Sequence, residues 1–166
     1  GWYPGGNVTL DYTLKYDMHQ LIVSAMYNNF QWNQEQDYIQ TEEGRDTTHQ
    51  QQNNYSHNQH IEIKADYEWK PTQQSRLEAG YNYSRTWGTN NSVAYNMFAD
   101  AQTELYPYYA QFDNIVQNHA LYVTYGNRFW DKLSIQVGLR GEYYMRHLES
   151  YYKDNNGTIQ DSYATN

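Results

Sequence analysis

The residues able to do chemistry are few, and their spacing limits what they can do together. The chain has 6 His and no Cys among its 166 residues, so disulfides, thiolate ligands and thiol nucleophiles are excluded. His57 and His60 are three apart, a separation that puts side chains on opposite faces of a strand and disfavours a shared metal. His49 and His57 can approach only across a loop, with no further ligand in sight. Asp37, Glu42, Glu43 and Asp46 offer oxygen donors of the kind calcium takes. They lack the spacing and midpoint glycine of a calcium-binding loop, and a solvated loop explains them better. No Ser, His and Asp residues are grouped as a hydrolase requires. The expectation is no catalytic residue, no metal and no cofactor, hence not an enzyme. Five N-x-Ser/Thr triplets, at Asn7, Asn54, Asn82, Asn90 and Asn156, are what chance supplies in so Asn-rich a chain.

Two other groups remain. Lys64, Asp66 and Glu68, with Arg140 and Glu142, alternate with apolar residues and read as ion pairs, either purely structural or lining a wet interior. Tyr106, Tyr108, Tyr109 and Phe112, with Trp87 and Met97 nearby, concentrate large side chains in what reads as a loop. They are candidate solute contacts, because rings offer flat surface to sugars or aromatic chelates and Tyr adds a hydroxyl handle. The competing reading is that they pack the loop against itself or its neighbour.

The elements that would position these residues are strands. A mean hydropathy of -1.06 suggests a highly soluble chain, yet 17% of the residues are aromatic, including 20 Tyr, which a disordered chain would not carry. The formal net charge of -8 argues against a nucleic-acid partner, which needs basic patches. Period-two alternation predicts six strands at 7–16, 20–36, 59–69, 75–87, 116–129 and 133–147. In the clearest, Ile61, Ile63, Ala65, Tyr67 and Trp69 share one face, and His60, Glu62, Lys64, Asp66 and Glu68 the other. The stretch from Asp37 to Ser56 reads as a polar loop or the solvated extension of a hairpin. Gly88 to Asn114 reads as irregular, with room for a short helix near Val93 to Leu105. Asp154-Asn155-Asn156-Gly157 signals a turn in a further hairpin.

No run reaches the roughly 18 apolar residues of a membrane helix, but a barrel strand crosses with about 10, only alternate ones facing lipid. Short connections at 17–19, 70–74 and 130–132 alternate with long ones, as in outer-membrane barrels with short periplasmic turns and long extracellular loops. Aromatic residues flank the short turns (Tyr16, Tyr67, Trp69, Phe129, Trp130) and recur toward the opposite ends (Tyr27, Tyr83, Trp87, Tyr143), bracketing an aliphatic band. The fold class expected is therefore all-β, an antiparallel transmembrane β-barrel segment of long hairpins in the bacterial outer membrane. Six strands do not close such a barrel, whose smallest natural members have about eight. Residues 1–166 are thus expected to be a fragment of one barrel domain, or one contributor to an oligomeric barrel. A soluble glycan-binding β-sandwich is the alternative, since one dry and one wet face also alternate there.

The runs Asn7-Val8-Thr9-Leu10-Asp11-Tyr12, Arg76-Leu77-Glu78-Ala79-Gly80-Tyr81 and Leu133 to Tyr143, with Gly138-Leu139-Arg140-Gly141-Glu142 the most specific part, resemble barrel repeats of TonB-dependent outer-membrane receptors, nearest to the Bacteroidetes-type outer-membrane β-barrel family. The likeness spans essentially the whole chain. It implies a barrel of about 22 strands with an N-terminal plug, taking up an iron chelate, cobalamin or oligosaccharide. Implied partners are outer-membrane lipid, the rest of the barrel and its plug, a TonB-type energising protein and a surface lipoprotein. A structural or adhesive barrel without gated transport is the alternative within this class.

Overall fold

The structure, a computed structural model, describes residues 5–40, 48–98, 101–104, 109–130, 132–153 and 156–165. They form strands β1 (Gly6–Tyr16), β2 (His19–Gln40), β3 (Thr48–Trp69), β4 (Ser75–Phe98), β5 (Ala101–Glu104), β6 (Ala110–Phe129), β7 (Leu133–Lys153) and β8 (Ile159–Thr165). All belong to one antiparallel sheet in the order β1-β2-β3-β4-β6-β7-β8, with β5 paired to the outer end of β4. Sequence neighbours pair throughout, so the sheet is a series of hairpins. Among the described residues nothing pairs with the outer edge of β1, and β8 covers β7 only from His147 to Lys153.

Two expectations need correction. The strands run well past the bounds set by alternation: β2 and β3 have 22 residues each and β4 has 24. The stretches 37–56 and 88–114 are mostly hairpin arms, the second of the two readings offered for 37–56. No helix forms over the described part of 93–105, where β4 continues to Phe98 and β5 pairs back on it. Polar residues dominate both faces of these arms, and the few apolar ones, such as Tyr38 beside Ile39 and Val93 beside Ala94, fall on both faces, so they carry no clean alternation signal. Their ladders follow from continuous backbone pairing with the arms beside them. The Asn156-Gly157 turn does return the chain, into β8, with Gly157 at φ 78°, a conformation glycine adopts without steric penalty.

Register fixes the facing. Across the sheet Tyr12, Val23, Ala65, Tyr81, Leu121 and Gly141 fall in one row, flanked by Leu14, Leu21, Tyr67, Ala79, Val123 and Leu139 on one side and by Leu10, Ala25, Ile63, Tyr83, His119 and Tyr143 on the other. This face is uncovered. Leu139 is 75% exposed, Leu10 69% and Val137 64%, while Ala120 is the sole buried apolar residue among those described. A contiguous apolar surface of this size does not face water in a soluble monomer. No second layer packs on it among the described residues, so the sandwich alternative has no support in the fold.

The short turns are locally built. Asp17 and Met18 close the β1–β2 hairpin with Asp17 at φ 50°, a region Asp tolerates better than most residues. At the β3–β4 turn Thr72 Oγ1 accepts hydrogen bonds from the Gln74 and Ser75 amides at 3.3 and 3.0 Å. Lys70 N donates to Met18 O at 2.9 Å and Arg128 N to Gln74 O at 3.0 Å, tying adjacent turns into one rim. At the third turn Trp130 holds φ 50° and is 84% exposed, a strained backbone for a bulky residue.

Candidate functional site

The opposite face of the same strands gathers the predicted charges. Lys64, Asp66 and Glu68 on β3 and Arg140 and Glu142 on β7 all project from it, joined by Glu62, Arg76, Glu78, Asn82 and Tyr122, because each lies out of phase with the apolar rows. The partnerships differ from those expected within β3. Lys64 Nζ pairs with Glu62 at 2.6 Å, not with Asp66 or Glu68, and Asn82 Nδ2 donates to the same Glu62 carboxylate at 3.0 Å. Glu68 takes Lys70 at 2.8 Å and Arg76 at 2.5 Å. Arg76 also reaches Glu78 at 2.5 Å. Glu68 and Glu78 are directly opposed across β3 and β4, a repulsive placement for like charges that the shared guanidinium offsets. Arg140 Nε pairs with Glu142 at 2.6 Å.

Asp66 has a different partner. Tyr122 on β6 donates its hydroxyl to Asp66 Oδ1 on β3 at 2.7 Å, spanning the intervening β4. The ring crosses directly over Gly80, in the same row. A Cβ on Gly80 would meet Tyr122 Cε1 at 2.1 Å and its hydroxyl at 2.6 Å, so the side chain of any other residue would displace the ring. This three-strand joint sits in the middle of the polar face. The sequence carries only a weak trace of it, Gly80 following Arg76 and Glu78 in phase along β4.

The aromatic candidates do not come together. Trp87 lies in β4 on the apolar face, with the Arg85 guanidinium 5.5 Å from its ring centre. Phe112 lies in β6 on the opposite face, across from Asn90 and Ser150. Tyr109 precedes β6, carries the Lys153 ammonium 4.6 Å from its ring centre and donates to Gln111 at 3.4 Å. Met97 is in β4, its backbone paired to Gln102. Tyr106 and Tyr108 lie outside the described residues, as do Glu42, Glu43 and Asp46. Asp37 instead meets His49 at 3.3 Å. His57 bonds Asn29 and His60 bonds Thr86, each at 2.8 Å, and the described residues contain no group of three metal-ligating side chains.

Two histidines that the spacing argument passed over belong to the aromatic girdles. His19 stacks on Trp69 at 5.8 Å and on Tyr67 at 5.9 Å, and bonds the Tyr67 hydroxyl at 2.6 Å. His119 packs against Tyr83 at 4.8 Å and bonds the Tyr81 hydroxyl at 2.7 Å. Their signal was available, since each stands two residues before a Leu in phase with an apolar row.

Beyond the apolar band the hairpin arms carry an uncharged ladder. Ser56, 2% exposed, donates to Asn90 at 2.6 Å and accepts from Asn58 at 2.8 Å. Ser92 donates to Asn54 at 2.7 Å and accepts from Gln52 at 3.0 Å. At the tip of β7, His147 Nε2 lies 2.9 Å from Glu149 and the Tyr151 hydroxyl donates to Glu149 at 2.7 Å. The His147 bond, and then the Tyr151 bond, hold the Glu149 carboxyl below the usual carboxylate range. The same carboxylate holds the Tyr151 phenol above its ordinary value.

A one-sheet wall with one bare apolar face and one hydrogen-bonded charged face is the geometry of a membrane barrel. Residues 12–166 match the model of the outer membrane protein beta-barrel family. The chain belongs to that family. The family assignment places the protein in the bacterial outer membrane. No curated protein is significantly similar to it. The crystal structure of the ferric citrate transporter FecA in the unliganded form shares 18% identity at a TM-score of 0.45, over 99% of this chain and 24% of that one. The chain thus spans about a quarter of that protein's length.

Proposed function

We propose that the chain forms part of the wall of a TonB-dependent receptor that takes up a solute such as an iron chelate, cobalamin or oligosaccharide. The observation that carries this reading is the polar face. Its carboxylates and cations are arranged in bonded sets across several strands, from Glu62–Lys64 to the Glu68–Arg76–Glu78 bridge and the Asp66–Tyr122 joint. Charges at that density suit a wide hydrated lumen or the surface of a plug, not a lumen closed by apolar packing. Lys64, Asp66, Glu68, Arg140 and Glu142 are then lumen-facing. The short turns lie on the periplasmic side and the hairpin arms on the extracellular side. The partners are outer-membrane lipid, the remaining strands and plug, a TonB-type energising protein and a surface lipoprotein. Solute contacts are drawn from the arms, with Tyr109 and Phe112 the leading candidates, since Trp87 stands on the apolar face.

The facing is tested by single cysteines in the full-length protein, probed with a lipid-soluble label. Cysteines at Ile63 and Val137 should react, and those at Lys64 and Gln136 should not; equal labelling of both pairs defeats the assignment. Uptake is tested in cells under solute limitation, where transport should stop when the protein is deleted or the inner-membrane proton gradient is collapsed. Growth and uptake unaffected by both treatments would refute gated transport. The length of the hairpin arms favours a second reading, an adhesive barrel, which predicts loss of surface attachment on deletion without loss of uptake.

A further inference from the structure

The apolar face carries one anomaly. From the row of Tyr16, Trp69 and Leu77 to the row of Gly6, Asn29 and Trp87, its sole Lys, Arg, Asp or Glu is Arg85. The strand neighbours of Arg85 are Ile61 on β3 and Gln117 on β6, neither of them an acid. Its guanidinium rests by the Trp87 ring at 5.5 Å, and its Nε makes no hydrogen bond. The nearest acids on this face, Asp113 and Glu149, are two rows farther out and already engaged. Asp113 accepts from Thr89 at 2.7 Å and Gln111 at 3.0 Å, and Glu149 is held by His147 and Tyr151.

Position in the band explains what such a cation is for. Arg85 stands eight residues from Leu77 along β4, about 27 Å at the usual rise, or roughly 21 Å along the membrane normal for a strand tilted about 40°. An apolar band is about 25 Å tall, so Arg85 lies at its far edge from the short turns. A charge on a lipid-facing surface is costly at the midplane and nearly neutral at the interface, where lipid phosphates lie. A guanidinium offers a planar fork of donors that fits a phosphate bidentately. The flanking ring limits the positions that fork can take, and Gln117 directly across offers an amide donor.

We propose that Arg85, backed by Trp87 and with Gln117 beside it, binds the phosphate of an anionic lipid on the extracellular side of the barrel. The site is a fixed headgroup contact in the outer leaflet, distinct from any solute path through the lumen. It rests on the lipid-facing reading of the apolar face.

The test is native mass spectrometry of the full-length protein in detergent, titrated with a diphosphorylated glycolipid of the lipid A type, dioleoylphosphatidylglycerol, dioleoylphosphatidylcholine and inorganic phosphate. Heat-modified electrophoretic mobility confirms that each variant is folded. The wild-type protein should retain the anionic lipids over phosphatidylcholine, and Arg85→Gln should weaken that retention about tenfold, the loss expected for a charge-assisted hydrogen-bonded pair. Arg85→Lys should fall between, keeping the charge without the fork. Arg146→Gln removes a cation at the same depth on the opposite face and should leave retention unchanged. Equal loss in the Arg85 and Arg146 variants, equal binding of phosphatidylcholine, or displacement by inorganic phosphate at equal concentration overturns the proposal. If cysteines at Ile63 and Val137 react with the lipid-soluble label while Arg85→Gln retains lipid normally, only the headgroup site fails. If they do not react, the facing fails and the site with it.

Discussion

The joint formed by Asp66, Gly80 and Tyr122 supports a prediction whose sign depends on the neighbouring side chain. Gly80→Ala adds one methyl group. On the present backbone that carbon would lie 2.1 Å from Tyr122 Cε1 and 2.4 Å from Cζ, inside any permitted contact, so the ring must leave. Its departure breaks the 2.7 Å bond to Asp66. A hydrogen bond to a charged group contributes about 1.5–3 kcal/mol, and the lower half of that range applies because both residues are only partly buried. Against this, Ala in place of Gly in a strand stabilises by roughly 0.5–1 kcal/mol through the unfolded chain. The net expectation is a loss of about 1 kcal/mol. With Tyr122→Ala the obstacle is gone, and Gly80→Ala should then stabilise by roughly 0.5–1 kcal/mol. The assay is a double-mutant cycle read by denaturant unfolding of the full-length protein in detergent, with mobility on unheated gels as the check of fold. An effect of the same sign and size in both Tyr122 backgrounds would refute the joint.

Other expected outcomes follow from the same geometry. Arg76→Gln leaves Glu68 and Glu78 facing each other without their shared cation and should cost about 1 kcal/mol at neutral pH, in line with exposed pairs of this kind. The loss should shrink when Glu68→Gln is added, and persistence of the full loss in the double variant would show that charge opposition is not its cause. At the tip of β7, the folded Glu149 carboxyl titrates below its ordinary value near 4.5, so its bonded arrangement stabilises the hairpin fully above that range. The contribution disappears as pH falls through the lowered folded value. Carbon-13 NMR of the Glu149 carboxyl should place its midpoint below the usual range, and His147→Ala should move it upward. An unmoved midpoint would remove His147 as the principal cause.

Facing was legible in the sequence because it is a local property. Side chains alternate along a strand with period two, so Ile61, Ile63 and Ala65 separate from Glu62, Lys64 and Asp66 whatever those residues pair with. Strand ends were less legible. The arm built from Gln50, Gln51, Gln52, Asn53 and Asn54 is polar on both faces, and that from Thr89 to Asn96 splits its few apolar residues, Val93, Ala94 and Tyr95, between the two, so neither offers an alternation to read. They are strands because each continues a ladder begun in the apolar band.

The partners across the sheet were decided only by tertiary structure. Lys64 and Asp66 are as near in sequence as Lys64 and Glu62, yet only Glu62 bonds Lys64, while Asp66 takes Tyr122 from 56 residues away. Phe112 reads as part of a loop with Trp87 close by, yet the two stand on opposite faces of the sheet. Composition and spacing therefore pointed to a membrane wall and separated an apolar face from a charged one. Register settled which residues meet, because pairing between strands depends on turns and backbone ladders that no single strand encodes.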